Sequence, residues 1–496
     1  MTGASGRPVV AVVGGGIAGL AAAWELTGGG VGPGPKSPSV VLFEASPRLG
    51  GKLATVDLWG GPVDVGPDGF LGRRPEAAQL CREAGLGDEL VPVGASGAAV
   101  WARGRRRPLP AGLVLGVPTR VLPVARSGIL SAGGTLRLAA DLVVPRPDAR
   151  GPLGDRAIGP LVAHKLGRQV VDRLVDPLVG GIHAGGVADA SAAAIFPGLL
   201  ANPKRRASFM RAIAAFAPEP PREDGEPLFW ALRNGCGSLV TRLAEVLSRR
   251  GVESGLSLPV EAIERADTRW VVRTAAGPTT VDGVVLTTAA GPTADLLAPH
   301  DPEAAGLLAT LDYASVALVT LAFPEAALPD DLFGTGLLVP RATPVPQEAA
   351  ASQLEAPEPF MVTACTYLWA KWPHLARPGV RLLRASVGRA GDTRHATMSD
   401  ADLVRRVVDE LAVLVDARGQ PLDSLVTRWD DALPQYRVHH LLRVASVEAA
   451  VRRLGRVAVA GATYRGVGIP ACVASGRAAA ADVVAQLTGE PTSTPA

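Results

Sequence analysis

The sequence predicts an α/β fold shared among two or three domains, and three observations carry that expectation. The chain has 496 residues, more than the roughly 100–200 that a single domain usually holds. Near its start a β-branched apolar run, a glycine turn, a helical stretch and a second apolar run follow one another, the order of a βαβ unit with parallel strands. Further on, strand-like and helix-like segments are divided by a proline-broken, charge-poor stretch that reads as a separate helical lobe.

Taken in order, residues 8–13 are short, apolar and β-branched and predict a buried strand. Residues 17–26 have helical periodicity, 28–39 form a glycine/proline loop, and 40–43 predict the second strand. Residues 75–84 read as helix, 113–144 as short helices broken by Pro118 and Pro123, and 156–180 as helix ending at Gly180 and Gly181. The stretch 202–225 is basic and then Pro- and Glu-rich, the composition of a linker. A helix is expected over 238–250, then a meander of strands at 261–266, 269–274 and 280–287. Residues 340–359 read as a surface loop, 456–460 as a final buried strand, 470–487 as an alanine-rich helix and 492–496 as a tail.

Composition narrows the function. Hydrophobic residues make up 47% and charged ones 20%, a globular balance rather than a disordered one. Gly (58) and Pro (43) are abundant but follow no collagen period. The net charge of +3, from 50 basic and 47 acidic residues, is too small for a nucleic-acid footprint. Cys81, Cys236, Cys365 and Cys472 are far apart and show neither zinc nor disulfide spacing, which fits a reducing compartment, and no metal site is expected. No secretory signal and no apolar run of ~18 residues is seen, so a cytoplasmic protein without a spanning segment is expected.

The chemistry begins at Gly14-Gly15-Gly16-Ile17-Ala18-Gly19, which follows a strand and opens a helix. Gly14 permits the tight turn, Gly16 lets a pyrophosphate reach the backbone, and Gly19 lets helix and strand pack closely, the Rossmann-type arrangement. Glu44 ends the second strand, where a carboxylate can bond ribose hydroxyls; the 28–39 loop accounts for its distance from Gly19. Arg48-Leu49-Gly50-Gly51-Lys52 follows, with two glycines for close approach and Arg48 for charge. Gly66-Pro67-Asp68-Gly69-Phe70 is, on turn chemistry alone, a loop. Near the other end, Gly466-Val467-Gly468-Ile469-Pro470 opens a helix whose N-terminus suits negative charge, or is simply a helix start after a glycine turn.

Together with residues 111–119, 176–185, 363–366, 371–374, 427–429 and 434–436, these motifs resemble the FAD-dependent porphyrinogen oxidases of the amine-oxidase-like flavoprotein superfamily, from Val9 to Leu487. Within that family the chain is most similar to the soluble bacterial coproporphyrinogen III oxidases of haem biosynthesis. The resemblance implies FAD as the bound dinucleotide. It places Gly14, Gly15, Gly16, Ile17, Ala18 and Gly19 at the pyrophosphate, Glu44 at the adenosine ribose with Ala45 beside it, and Val260 at adenine. Arg48, Gly51, Lys52, Gly66, Pro67, Asp68 and Gly69 would line the cofactor, and Trp429, Gly461, Val467, Gly468 and Ile469 its flavin end. Where the family often carries Ser, Gly69 stands; where it carries Asp, Ala471 stands; and the Tyr it has near His183 is missing.

The resemblance implies an FAD-binding domain from 1–90, 230–290 and 440–496, a mainly helical lobe over 110–210 and a mixed-sheet substrate domain over 291–439. The expected reaction oxidises coproporphyrinogen III to coproporphyrin III with oxygen as acceptor and hydrogen peroxide as co-product. Protoporphyrinogen IX is the alternative substrate, and another flavoenzyme activity or a non-catalytic flavin or porphyrin carrier the further alternatives. No side chain is assigned as acid or base. Arg73 and Arg74 could pair substrate propionates, and His183 is a substrate contact or a structural histidine. Cys472 reads as a small buried helix residue. The run Arg103 to Arg107 is a solvated charge cluster, or meets an anionic substrate or the next enzyme of the haem pathway.

Overall fold

A computed structural model of the chain describes residues 6–144, 154–200, 208–217, 226–345 and 358–489. It divides into two units: Met1–Pro92, Asp224–Leu311 and Leu441–Ala496 form the first, and Val93–Glu223 and Asp312–His440 the second. The helical lobe over 110–210 and the large mixed sheet fall together in the second unit.

The first unit is built on a five-stranded parallel sheet in the order Glu253–Gly255, Ser39–Phe43, Val9–Val13, Gly283–Leu286, Val457–Val459. The strand Val9–Val13 is apolar on both faces, as a sheet covered on both sides requires. The helix Ile17–Leu26 returns the chain over this sheet, and the C-terminal helix Ile469–Thr488 lies along it. Leu20, Trp24, Leu42, Leu80, Leu243, Val285 and Val473 form the core between them. At Gly476 a Cβ would overlap the backbone of Ala18, so the two helices meet backbone to backbone. Arg477 then pairs with Glu83, which also accepts the Trp24 indole N–H at 3.1 Å.

The meander expected over 280–287 divides here. Gly277–Val281 stays in it, but Gly283–Leu286 leaves and becomes the strand beside Val9–Val13. Its four residues are fully buried, which a two-faced parallel position demands. Asp282 marks the switch, its carboxylate accepting the Val9 N–H at 2.8 Å.

The second unit carries a seven-stranded mixed sheet. Its order is Asp423–Pro434, Tyr313–Pro324, Val380–Val387, Val362–Tyr367, Gly336–Leu338, Ala99–Ala102, Arg105–Pro108. Alternate residues of Ala99–Ala102 enter two cores, as a period of two dictates. Ala99 and Trp101 join Leu321, Phe323, Leu383 and Leu411, while Val100 and Ala102 join the helical lobe with Val124, Leu138, Val162 and Leu174.

Three sequence expectations are corrected in this lobe. Residues 113–144 begin not as helix but as a two-stranded ribbon, Leu113–Val114 with Val117–Pro118. Leu115 (φ +46°) and Gly116 (φ +84°) form its two-residue turn, the left-handed pair that suits a tight hairpin. The helices Val121–Ser127 and Ala132–Val143 follow. The helix expected over 156–180 is interrupted at Gly167 (φ +103°) and then runs through Gly180 and Gly181 to His183, where Ala184 takes the left-handed cap. Of the linker expected over 202–225, Phe209–Ala214 is a helix capped by Ser208; 202–207 and 218–225 lie outside the described residues, as do most of the 340–359 loop and the tail. No helix among the described residues is long and apolar enough to cross a membrane.

The contact at Gly476 generates a test. Gly476→Ala should cost about 1–3 kcal/mol through overpacking, read as a lower urea midpoint and reduced flavin occupancy. An unchanged midpoint would show that the two helices can reseat.

Candidate functional site

In the first unit the glycine turn closes around its own backbone. Gly14 (φ +104°) donates its N–H to the Phe43 carbonyl at 2.8 Å. Thr287 Oγ1 donates to the Val13 and Gly14 carbonyls at 2.9 and 2.8 Å, and a Cβ on Gly14 would stand 2.8 Å from that same oxygen. A Cβ on Gly19 would overlap the Gly14 carbonyl. Gly16 differs: a Cβ there meets nothing within 4 Å. Gly16 is also the cap of the helix Ile17–Leu26, with no side-chain bond to the helix end and no acid in the first turn. A helix start without a side-chain cap, beside open space at Gly16, is an arrangement that can receive a phosphate. Ile17 and Ala18 are buried behind it.

Glu44 is tied to this turn. Its Oε2 accepts the Gly15 N–H and its Oε1 the Ser46 N–H, both at 2.7 Å. Each oxygen keeps a lone pair for a ribose hydroxyl. The Glu44 carbonyl accepts the Leu258 N–H at 2.9 Å, which draws the segment ending at Val260 alongside. Ala45 is exposed next to it. Gly50 donates to the Gly15 carbonyl at 2.8 Å, and a Cβ on Gly51 would lie 3.3 Å from the Gly16 Cα. The Arg48 guanidinium donates to the carbonyls of Leu49, Leu53 and Gly51 and so holds the turn.

The C-terminal motif joins the same place. Gly461 (φ +117°) donates to Ser475 Oγ at 3.0 Å, and its α-carbon faces Thr287 and Ala18. Gly468 caps the helix Ile469–Thr488, again with no side-chain cap and no acid in the first turn, where Ala471 stands. Val467 is half-buried, Gly468 exposed and Ile469 buried. Burial pushes the Cys472 thiol up to about 11 against the pull of Lys52, which places both at this helix start. Gly66 and Asp68 are buried, Pro67 exposed and Gly69 half-buried in the turn after the strand Pro62–Asp64. Asp64, just before it, accepts the Cys236 N–H at 2.8 Å.

Arg73 and Arg74 are both exposed in this unit, and Arg74 forks onto Glu76 at 2.7 Å at the start of its own helix. Trp429 and His183 belong to the second unit. Trp429 stands opposite Val316 in the large sheet. His183 ends its helix with the ring 5.8 Å from that of Tyr436, which in turn stacks on His440 at 4.0 Å. Burial pushes the His183 imidazole down to about 4, so it is neutral near pH 7.

The second unit also encloses a cavity of about 870 Å³, within the range of small-molecule sites. Arg103, Arg168, Arg173, Arg341, Asp172 and Asp176 supply its charged lining. The Arg103–Arg107 run is thus divided: Arg103 reaches the cavity, Arg106 pairs with Asp416 at 2.7 Å, and Arg107 donates to the Ala102 and Ser127 carbonyls. Sequence reasoning missed Thr287 and Gly476, whose partners are far away in the chain, and Ser475, fourteen residues from its partner Gly461. It also missed Arg341, which sits in a segment read as a plain loop.

Comparison with known proteins follows from these features. The pattern defining the flavin containing amine oxidoreductase family matches residues 17–484. The chain is 32% identical to a coproporphyrinogen III oxidase of Bacillus subtilis, over 97% of this chain and 99% of that one. It is 29% identical to a protoporphyrinogen oxidase of Bos taurus, over 97% and 98%. A crystal structure assigned provisionally to a protoporphyrinogen oxidase of Exiguobacterium sp. superposes with a TM-score of 0.83 at 32% identity, covering 97% of this chain and 99% of that one.

Two outcomes are expected. Glu44→Ala should weaken FAD binding by about 1–3 kcal/mol, the worth of a charged hydrogen bond, measured by flavin fluorescence on titration of apoprotein; unchanged affinity would place the ribose elsewhere. The second concerns acid. With its folded value below the unfolded one, His183 binds protons more readily in the unfolded chain between about pH 6.5 and about 4, so its contribution to stability is lost as pH falls through that window. Thermal melts of the parent and His183→Gln should therefore diverge on acidification, the parent losing more; parallel curves would dismiss the imidazole as the cause.

Proposed function

The chain belongs to the flavin containing amine oxidoreductase family, and from that premise we propose that it oxidises coproporphyrinogen III to coproporphyrin III with FAD as its cofactor and molecular oxygen as the final acceptor. The observation that carries this reading is the end-to-end similarity to a coproporphyrinogen III oxidase, joined to a nucleotide cradle in which Gly16 leaves room where any side chain would intrude. The cytoplasm is the proposed compartment, supported by four buried, unpaired cysteines.

The residues fit the cofactor. The helix N-terminus at Gly16 would hold the pyrophosphate, Glu44 the ribose, and the segment ending at Val260 the adenine; Gly461 and Val467 to Ile469 would line the flavin end. Lys52, Gly66 and Asp68 complete the proposed lining. When bound, FAD supplies the redox chemistry, in which loss of six hydrogens takes three two-electron rounds and each round reduces one oxygen to hydrogen peroxide. The chain's part is to hold, orient and exclude water. No side chain is required to move a proton permanently, because the hydrogens leave with the peroxide. His183 is neutral at pH 7.

A second reading, protoporphyrinogen IX as substrate, is favoured by the likeness to the bovine protein. The two substrates differ where one bears propionates and the other vinyls. The arginines lining the second unit's cavity support the more anionic one. Contact with the next haem-pathway enzyme stays a proposal, with the exposed Arg105 as the charge available for it.

Purified holoprotein should release three peroxides per porphyrin formed and show a higher kcat/KM for coproporphyrinogen III than for protoporphyrinogen IX. A higher value for protoporphyrinogen would reverse the substrate assignment. Turnover only with added quinone would make the enzyme a dehydrogenase.

A further inference from the structure

Two pieces of backbone that their residues do not favour stand at the wall of the second unit's cavity. One is the turn between the strands Ala99–Ala102 and Arg105–Pro108. Its residues Arg103 (φ +56°) and Gly104 (φ +75°) are both left-handed, the hairpin turn in which Asn or Asp usually precedes Gly. A long side chain in that conformation is uncommon and strained. The other is Val171–Val175, a run of π-helix. In a regular α-helix Arg168 and Arg173, five apart, would point about 140° from each other; here, across the wider turn, both line the cavity. Strained residues and π turns are both concentrated at functional sites.

The cavity has the size and the chemistry of a ligand site. It measures about 870 Å³, enough to enclose a small molecule. Trp101, Val171 and Val187 give it apolar wall, with Trp101 held edge to face on Phe360 at 6.2 Å. Arg103, Gly104 and Arg168 are exposed, so it opens to solvent on their side. Arg168 donates to Asp172 at 3.0 Å, and Arg173 Nη1 to the Ile129 carbonyl at 2.8 Å, which holds each guanidinium and leaves it further donors. Asp176, the other carboxylate on the wall, accepts the Val187 N–H at 3.0 Å and lies 3.9 Å from Arg341. Arg103 makes no hydrogen bond or ion pair among the described residues. Burial, and then the charges of Arg105, Arg103 and Arg173, hold the Arg107 guanidinium below its ordinary value, so Arg103 and Arg173 act at one place.

We propose that this cavity is a second porphyrin site, apart from the one at the flavin, and that it holds the oxidised product with its carboxylates on Arg103, Arg168 and Arg173. The inference rests on the porphyrinogen-oxidase reading above. None of the residues placed at the flavin end lines this cavity, so a ring seated here has other contacts than the reacting one. Oxidation turns a puckered macrocycle into a flat, rigid one, which loses little freedom on an apolar wall. Its carboxylates match the forked donors of guanidinium groups in plane and spacing. The ligand also accounts for Arg103 in a strained turn, where Asn would serve the turn alone better.

The test titrates flavin-loaded protein with coproporphyrin III and follows porphyrin fluorescence. The parent should bind two porphyrins per chain, and the double variant Arg103→Asn, Arg168→Gln only one, with the flavin spectrum the same in both. Arg103→Asn alone should weaken the second porphyrin roughly five-fold or more while its melting temperature stays level or rises, because Asn suits the left-handed turn. A fall in melting temperature with porphyrin binding unaltered would make Arg103 a residue of the fold and overturn the proposal. One porphyrin per chain in the parent, or two bound as tightly by the double variant, overturns it as well. Turnover of coproporphyrinogen III by the parent is measured on the same preparation: no turnover removes the functional reading itself, whereas turnover with one porphyrin per chain removes only the second site.

Discussion

Between the first strand and the two helices that cover it, backbone packs directly on backbone, and only glycine allows it. The missing side chain of Gly19 leaves the Gly14 carbonyl room, and that of Gly476 leaves room for Ala18. Thr287 then binds the carbonyls of Val13 and Gly14 from the neighbouring strand. Because the turn is held from behind on three sides, the space in front of Gly16 stays open. A helix end without a capping side chain would ordinarily be a weakness; here it is what a phosphate would occupy. Glu44 bonds the Gly15 N–H, so the proposed ribose ligand and the proposed phosphate turn move as one body.

The second unit solves a different problem, that of placing charge inside an apolar shell. One face of its seven-stranded sheet packs on the helix Asp400–Leu414, and the strand Ala99–Ala102 turns Val100 and Ala102 to the helical lobe. Glu410, 2% exposed, accepts the Met361 and Val362 N–H groups and pairs with Arg406 at 2.7 Å. That carboxylate anchors the strand beginning at Val362, next to the Phe360 carbonyl that Arg389 meets. The edge strand Arg105–Pro108 is exposed and charged, a composition that discourages pairing with another sheet edge.

The βαβ start, the glycine fingerprint, Glu44 and the final strand–glycine–helix were legible in the sequence because each depends on neighbours within a few residues. Their chemistry is local: turn, cap and strand end are written in consecutive residues. The same locality misled at Leu113 to Pro118, where apolar residues suited to helix form a ribbon because Leu115 and Gly116 adopt left-handed dihedrals. It misled again at Gly180 and Gly181, which look like a helix end and lie within one.

The sequence by itself determined the fold class and the family, since these follow from short motifs whose spacing reflects backbone geometry. Only the tertiary structure decided that Gly283–Leu286 leaves the meander for the parallel sheet and that Arg341 bonds the Ala390 carbonyl. Those outcomes rest on contacts between residues tens to hundreds of positions apart. Burial and electrostatic interaction act through space, and no local pattern of residue types records which distant groups will meet.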